Sequence, residues 1–193
     1  KETDAGYWQR ISYTDSRIQT QVPALHVGGW FDLFLRGTLD NFTTMSQAAV
    51  SGEARTSQPL IVGPWTHADY TGAAGELFFG AGSAQAVRLE EQQLRFLRES
   101  VDGSPSSLPA VQVFVMGANV WRAENEWPLA RTEWQKWYLH ADAGLLPQEP
   151  ARRADNGGQW LGFTHDPHDP VPTIGGGTLI QGGPGDGAGY MPG

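Results

Sequence analysis

Two short apolar runs stand out along the chain, and a glycine follows each of them. The first covers residues 22–27, interrupted by Pro23 and His26, and the pair Gly28-Gly29 ends it. The second covers residues 59–62, and Gly63-Pro64 ends it. Continuous rather than alternating apolar runs are typical of strands buried on both faces of a parallel sheet. We therefore predict two buried parallel strands.

Helical spacing follows each of these runs. Across residues 33–50 and again across 84–101, apolar residues fall three or four positions apart, which predicts two amphipathic helices. Glu91 and Arg95 are spaced as a favourable ion pair on the second helix, and residues 72–82 predict a glycine-rich loop before it. The first apolar stripe is Leu35, Leu39, Phe42, Met45 and Ala49, and the second is Val87, Leu89, Leu94, Phe96, Leu97 and Val101.

The pattern changes in the second half of the chain. Residues 103–109 are rich in Ser and Pro and form the best candidate for a domain boundary. Beyond it, residues 111–116 and 134–140 predict strands separated by Gly and Pro turns, as at the beginning of a β-sandwich or jelly-roll. The predicted fold class is therefore α/β followed by all-β.

Composition narrows the functional classes. Eight Trp and eight Phe in 193 residues are enough for a buried core. The net charge of −8 argues against nucleic acid and anionic membranes as partners. The chain has no Cys, which excludes disulfides, thiolate metal sites and a Cys nucleophile. No apolar run approaches the roughly 20 residues of a membrane span, and we expect no cofactor.

An acid and a base follow the two predicted strands at equal distance. Asp32 lies five residues after Val27, and His67 lies five residues after Val62. The carboxyl ends of parallel strands share one edge of a sheet, so we expect these side chains to lie close together. A serine nucleophile needs an imidazole to take its proton and a carboxylate to orient that imidazole. The alternative is that Asp32 caps the next helix and His67 is an ordinary loop residue.

Aromatic and glycine residues flank this pair. Trp30, Phe34 and Trp65 are candidates to line a substrate pocket, because hydrolase sites are largely apolar. The alternative is that these three side chains belong to the core. Gly28, Gly29 and Gly63 are expected to allow tight turns after the strands.

Longer stretches resemble one family of serine hydrolases. Residues 23–34, PALHVGGWFDLF, and residues 60–67, LIVGPWTH, resemble the cocaine esterase / X-Pro dipeptidyl-peptidase family. Residues 113–117, VFVMG, and residues 169–173, DPVPT, resemble later segments of the same family. The resemblance extends in order from about Tyr7 to Gly185.

This resemblance implies that the chain is a C-terminal fragment of a larger enzyme. Residues 1–20 would end a helical cap, 21–102 would be the C-terminal part of an α/β-hydrolase domain, and 103–193 would begin a jelly-roll β-sandwich. Asp32 and His67 would match the triad Asp and His. The nucleophile, in a Gly-x-Ser-x-Gly motif, would precede residue 1, and no such motif occurs here.

The resemblance also implies a reaction and partners. The whole enzyme would cleave ester or amide bonds, including Xaa-Pro dipeptidyl bonds, through an acyl-enzyme, and the fragment alone is expected to be inactive. Its partners would be a small ester, amide or peptide substrate and the remainder of its own polypeptide. A cut sheet exposes a strand edge, so a second copy of the chain, as a homo-oligomer, is the other candidate to cover it.

Two further features point elsewhere. Four tryptophans, Trp121, Trp127, Trp134 and Trp137, fall in the predicted β part. Exposed tryptophans on a β-sandwich can bind carbohydrate, so a non-catalytic binding module for carbohydrate or protein is the alternative function. His165, Asp166, His168 and Asp169 are residue types that bind metals, but the flanking prolines favour a structural turn and we assign no metal.

Overall fold

A computed structural model describes residues 5–13, 16–140, 142, 144–150, 162–170 and 174–177. The chain divides into two compact units, one formed by Lys1–Leu129 with Thr173–Gly193 and one by Ala130–Pro172. The helices are α1 (Ala5–Ile11), α2 (Leu35–Ala48), α3 (Gly52–Thr56), α4 (Ala81–Gln85) and α5 (Leu89–Val101), and the strands are β1 (His26–Gly29), β2 (Leu60–Gly63), β3 (Ala73–Ala74), β4 (Leu77–Phe78), β5 (Val111–Val115), β6 (Val120–Glu124), β7 (Tyr138–Leu139) and β8 (Leu145–Leu146). None of these described helices is long and apolar enough to cross a bilayer.

A four-stranded sheet with the order β1-β2-β5-β6 organises the first unit. β1 pairs in parallel with β2, in a register that sets His26 beside Leu60 and Gly29 beside Gly63. This pairing confirms the two predicted parallel strands. The first of them begins at His26 rather than at Val22, whose side chain is exposed.

Helix α2 covers one face of the sheet. Phe42 of this helix packs with Leu60 and Val62 of β2 and with two valines of β5, and Leu35 and Leu39 pack against the same cluster. Met45 and Ala49 are also buried. The predicted apolar stripe of the first helix is therefore confirmed. The helix is followed by α3, which the sequence analysis missed and which Ser51 caps by accepting the Ala54 N–H at 3.2 Å.

The segment around α4 and α5 supplies a second apolar cluster. Ile61 of β2 packs there with Trp65, Ala84 and Val87. Since Ile61 alternates with Leu60 and Val62 along β2, this cluster lies on the opposite face from α2. Helices therefore cover both faces of a largely parallel sheet, which confirms the α/β class for this unit.

The long helix predicted over 84–101 is two helices. Arg88 has a φ of 52°, in the left-handed region, and separates α4 from α5. Val87 and Phe96 are buried, but Leu94, Leu97 and Val101 are exposed, so the predicted apolar stripe is wrong over much of its length. Arg88 also forms an ion pair with Glu91.

The strand predicted over 111–116 is β5 and belongs to the four-stranded sheet, together with β6, which the sequence analysis missed. β5 pairs in parallel with β2, and β6 pairs antiparallel with β5. The segment 103–109 therefore connects α5 to the next strand of the same sheet, and the compact unit continues to Leu129. In the second unit, the strand predicted over 134–140 is confined to β7, which pairs with β8.

Two glycines of the paired strands make room for Trp65. A Cβ at position 29 would lie 2.1 Å from the Trp65 carbonyl oxygen, and a Cβ at position 63 would lie 2.3 Å from the Trp65 ring. Both residues are within the strands, and neither has a positive φ. The prediction that they permit tight turns is therefore wrong: glycine is required here because the Trp65 segment packs directly against them.

We expect Gly29→Ala to destabilise the protein by about 1–3 kcal/mol, because the new methyl group overlaps backbone atoms that cannot move aside cheaply. Gly37→Ala, in α2, is the matched control: nothing lies within 4 Å of its Cβ. This control should stabilise by about 0.5–1 kcal/mol through helix propensity. Urea unfolding of the full-length protein measures both changes, and equal stabilities of the two variants would contradict the packing argument.

A buried histidine lies in β1. His26 is 8% exposed, and its Nε2 lies 2.7 Å from the Gln58 Oε1. Gln58 donates its amide N–H to the Ala54 carbonyl at 2.6 Å, so its oxygen faces His26 as an acceptor. Burial lowers the pKa of His26 below 6.5, and the Gln58 hydrogen bond offsets part of this effect. His26 is therefore a hydrogen-bonded histidine of the core.

Stability should fall as the pH drops below about 6.5, because the unfolded state then binds a proton on His26 that the folded state resists. His26→Gln should flatten this dependence, and His168→Gln, at an exposed position, should not. Urea unfolding at about pH 7.5 and about pH 5.5 tests the difference. An unchanged pH dependence in His26→Gln would assign the acid sensitivity to other groups.

Candidate active site

The loops that follow β1 and β2 leave the sheet side by side. Beyond the strands, Trp30 donates its N–H to the Gly63 carbonyl at 2.8 Å, and Phe31 donates to the Trp65 carbonyl at 3.0 Å. These two bonds extend the parallel ladder into the loops. They hold residues 30–32 against residues 63–65, which brings the chain to Asp32 on one loop and to His67 on the other.

Asp32 and His67 meet across these loops. The His67 Nδ1 lies 3.2 Å from the Asp32 Oδ2. The Asp32 side chain is 12% exposed, and the His67 side chain is 44% exposed. A nearly buried carboxylate thus holds one nitrogen of a half-exposed imidazole.

The second carboxylate oxygen of Asp32 has a different partner. Its Oδ1 accepts the N–H of Phe34 at 2.8 Å, and the Asp32 carbonyl accepts the N–H of Leu35 at 3.1 Å. Asp32 therefore forms a turn just before α2, whose N-cap is Phe34 rather than Asp32, and contacts His67 at the same time. Because one oxygen is fixed by the backbone, the carboxyl plane is set before the imidazole binds it.

A closed turn carries His67. Thr66 donates its N–H to the Asp69 carbonyl at 3.2 Å, and the Asp69 N–H returns a bond to the Thr66 Oγ1 at 3.1 Å. Thr66 is buried. The Asp69 carboxylate accepts hydrogen bonds from the Thr71 N–H and hydroxyl. These bonds fix the backbone on both sides of the imidazole.

The three aromatic pocket candidates lie in different places. Phe34 is 53% exposed, and its ring contacts the His67 imidazole edge to face, with centroids 4.9 Å apart. Trp65 is buried, and Trp30 packs on Trp127 and donates its indole N–H to the Phe114 carbonyl. For Trp30 and Trp65 the core alternative therefore fits, and only Phe34 of the three lies beside the Asp–His pair.

Tyr70 is a neighbour of the site that the sequence analysis missed. Its ring packs on Trp65 with centroids 5.0 Å apart. Burial, and secondly the negative charge of Asp32, raise the pKa of the Tyr70 phenol. The phenol therefore stays protonated at neutral pH. In the sequence, its place three residues after His67 was the one indication that it lies near the site.

The tryptophans proposed as a carbohydrate platform separate into two groups. Trp121 packs on Trp65 and donates its indole N–H to the Ser83 carbonyl at 2.8 Å, and Trp127 packs in the α2 cluster. Both serve the α/β unit. Trp134 and Trp137, in the second unit, are exposed.

The acidic and histidine-rich segment near residue 166 forms a turn. The Asp166 Oδ1 accepts the His168 N–H at 2.8 Å, and the Asp166 carbonyl accepts the Asp169 N–H at 3.1 Å. Within the described parts of the chain, no three His, Cys, Asp or Glu side chains are grouped so that they could hold a metal ion.

The Asp32–His67 geometry suits proton transfer. With the Nδ1 proton donated to Asp32, the lone pair of the imidazole is on Nε2, which can accept a proton from a third group. When Nε2 takes that proton, the Asp32 carboxylate stabilises the imidazolium. No Gly-x-Ser-x-Gly motif occurs in the chain to supply that third group.

A known protein family and a known protein are similar to this chain in sequence. The family described as X-Pro dipeptidyl-peptidase (S15 family) matches residues 1–69, which include Asp32 and His67. Cocaine esterase from Rhodococcus sp. (strain MB1 Bresler) is 30% identical over 191 residues, covering 91% of this chain but 31% of that protein. This chain thus spans about a third of the length of that relative.

A solved structure is similar in fold. The crystal structure of an aminopeptidase from the marine sediment archaeon Thaumarchaeota archaeon has a TM-score of 0.62 and 24% sequence identity, over 76% of this chain and 24% of that one. At this identity the likeness concerns the fold alone. The family match and the similarity to cocaine esterase show that this chain belongs to the cocaine esterase / X-Pro dipeptidyl-peptidase family of hydrolases.

Proposed function

We propose that this chain supplies the acid and the base of a serine-hydrolase triad. In this proposal His67 is the general base and then the general acid, and Asp32 orients it and stabilises its charged form. The observation that carries the proposal is the 3.2 Å contact between the His67 Nδ1 and the Asp32 Oδ2. The nucleophilic serine comes from a segment of the protein outside these 193 residues.

The proposed reaction is acyl transfer. The serine oxygen attacks the substrate carbonyl carbon, and its proton moves to the His67 Nε2. The imidazolium then gives this proton to the departing alcohol or amine, which leaves an ester between the serine and the acyl group. Water repeats the sequence, with His67 again taking and returning the proton, and releases the acid.

The proposed substrates are esters or amides, including Xaa-Pro dipeptidyl bonds. Support comes from the family match, whose description names X-Pro dipeptidyl-peptidase, and from cocaine esterase as a relative. Phe34, half-exposed beside His67, is our candidate for one wall of the acyl pocket. We also propose that the jelly-roll domain begins after Leu129, where the compact α/β unit is interrupted.

We expect Asp32→Asn in the full-length protein to lower kcat on an ester by roughly 10⁴, because an amide stabilises the wrong imidazole tautomer. Asp69→Asn is the matched control: it is two residues from His67, but its carboxylate is bonded to Thr71. The control keeps an acceptor oxygen and should retain kcat within about threefold. Near-wild-type turnover in Asp32→Asn would remove Asp32 from the triad.

A fluorophosphonate probe tests the acyl-transfer step directly, because it labels only a serine that a base has activated. The full-length protein should be labelled stoichiometrically, and His67→Gln should slow labelling at least about a hundredfold. An unlabelled wild-type protein, folded and soluble, would favour the non-catalytic binding module.

A further inference from the structure

Phe34 contacts both members of the Asp–His pair, through different parts of the residue. Its backbone N–H donates to the Asp32 Oδ1 at 2.8 Å. Its ring lies 4.9 Å from the imidazole of His67, at an interplanar angle of 76°. One residue therefore fixes the carboxylate from one side and packs against the imidazole from another.

The imidazole needs such a contact. Its Nδ1 bond to Asp32 is 3.2 Å long, and 44% of the side chain is exposed. A single hydrogen bond fixes one atom of the ring but leaves the ring free to tilt about it. An edge-to-face aromatic contact opposes this tilt, since aromatic pairs prefer that arrangement at centroid distances of about 4.5–7 Å.

The Phe34 ring is mounted on ordered backbone. The N–H of Phe34 is bonded to Asp32, and its carbonyl accepts the Thr38 N–H at 3.2 Å as α2 begins. An aromatic side chain has two rotatable bonds, so little further freedom has to be lost to hold it. The other aromatic residue on the His67 loop, Tyr70, packs on Trp65.

We propose that Phe34 is a positioning residue for His67: its ring holds the imidazole in the plane that Asp32 selects. The catalytic consequence rests on the function proposed above. This role differs from that of a pocket wall, because it acts on every substrate alike, whereas a wall acts on substrates with a large acyl group.

The first test compares two esters of one alcohol, para-nitrophenyl acetate and para-nitrophenyl benzoate, in the full-length protein. Phe34→Leu, which keeps bulk but loses the ring, should lower kcat on the acetate roughly twofold to tenfold, because the small acetate reports positioning alone, and should lower kcat on the benzoate by at least that factor. KM for the acetate should stay unchanged. Phe34→Tyr, which keeps the ring, should restore kcat. A loss confined to the benzoate, with kcat on the acetate unchanged, would overturn the proposal.

The second test does not depend on activity. The His67 Nδ1 proton shared with Asp32 should give a far-downfield proton NMR resonance, identified by its disappearance in Asp32→Asn. In Phe34→Leu this resonance should broaden through faster exchange with water, and in Phe34→Tyr it should stay sharp. A resonance that is equally sharp in Phe34→Leu would overturn the proposal, whatever the kinetics.

Three controls distinguish a loss of His67 positioning from a loss of folding and from a failure of the proposed function. Phe78→Leu removes a ring that is 68% exposed on β4 and should change neither measurement. Thermal melts monitor folding, and Phe34→Met replaces the leucine variant if that variant unfolds. If Asp32→Asn keeps full turnover, the proposed function fails, while the resonance still decides whether Phe34 holds the imidazole.

Discussion

The parallel, in-register pairing of β1 with β2 is the constraint on which the candidate site depends. Gly29 lies beside Gly63, and two further backbone bonds continue the ladder through Trp30 and Phe31. Asp32 and His67 are 35 positions apart in the chain, but each follows the last paired residue by three or four positions. Strand pairing therefore brings the two loops side by side, and each loop adds only the three or four residues that lead to Asp32 or to His67.

Asp32 shows how a structural and a chemical role can share one carboxylate. A capping role and a role toward His67 looked like alternatives in the sequence. The structure uses Oδ1 for the turn into α2 and Oδ2 for the imidazole. The hydrogen bond from the backbone to Oδ1 does not compete with the hydrogen bond from His67 to Oδ2, because each carboxylate oxygen has its own lone pairs. The backbone bond also restricts rotation of the Asp32 side chain, so that less of this freedom is lost when Asp32 binds the imidazole.

Local patterns predicted the elements that form locally. The two buried strands, helix α2 with its stripe, and the proximity of Asp32 to His67 all follow from apolar periodicity and strand-end logic. The partner of β5 escaped the same reasoning: the apolar alternation of β5 fits a sandwich strand as well as a sheet strand, and only its pairing with β2 decides. The break at Arg88 was hidden because a left-handed arginine leaves no mark in the pattern of apolar residues.

The fit of Trp65 against two glycines has a consequence for how this family can vary. Gly29 leaves space for the Trp65 carbonyl, and Gly63 leaves space for the Trp65 indole ring. A larger residue at position 63 is compatible only with a smaller residue at 65, whereas a larger residue at position 29 overlaps the carbonyl of residue 65 whatever side chain that residue carries. Substitutions at positions 63 and 65 should therefore appear together in related chains, whereas position 29 should remain glycine.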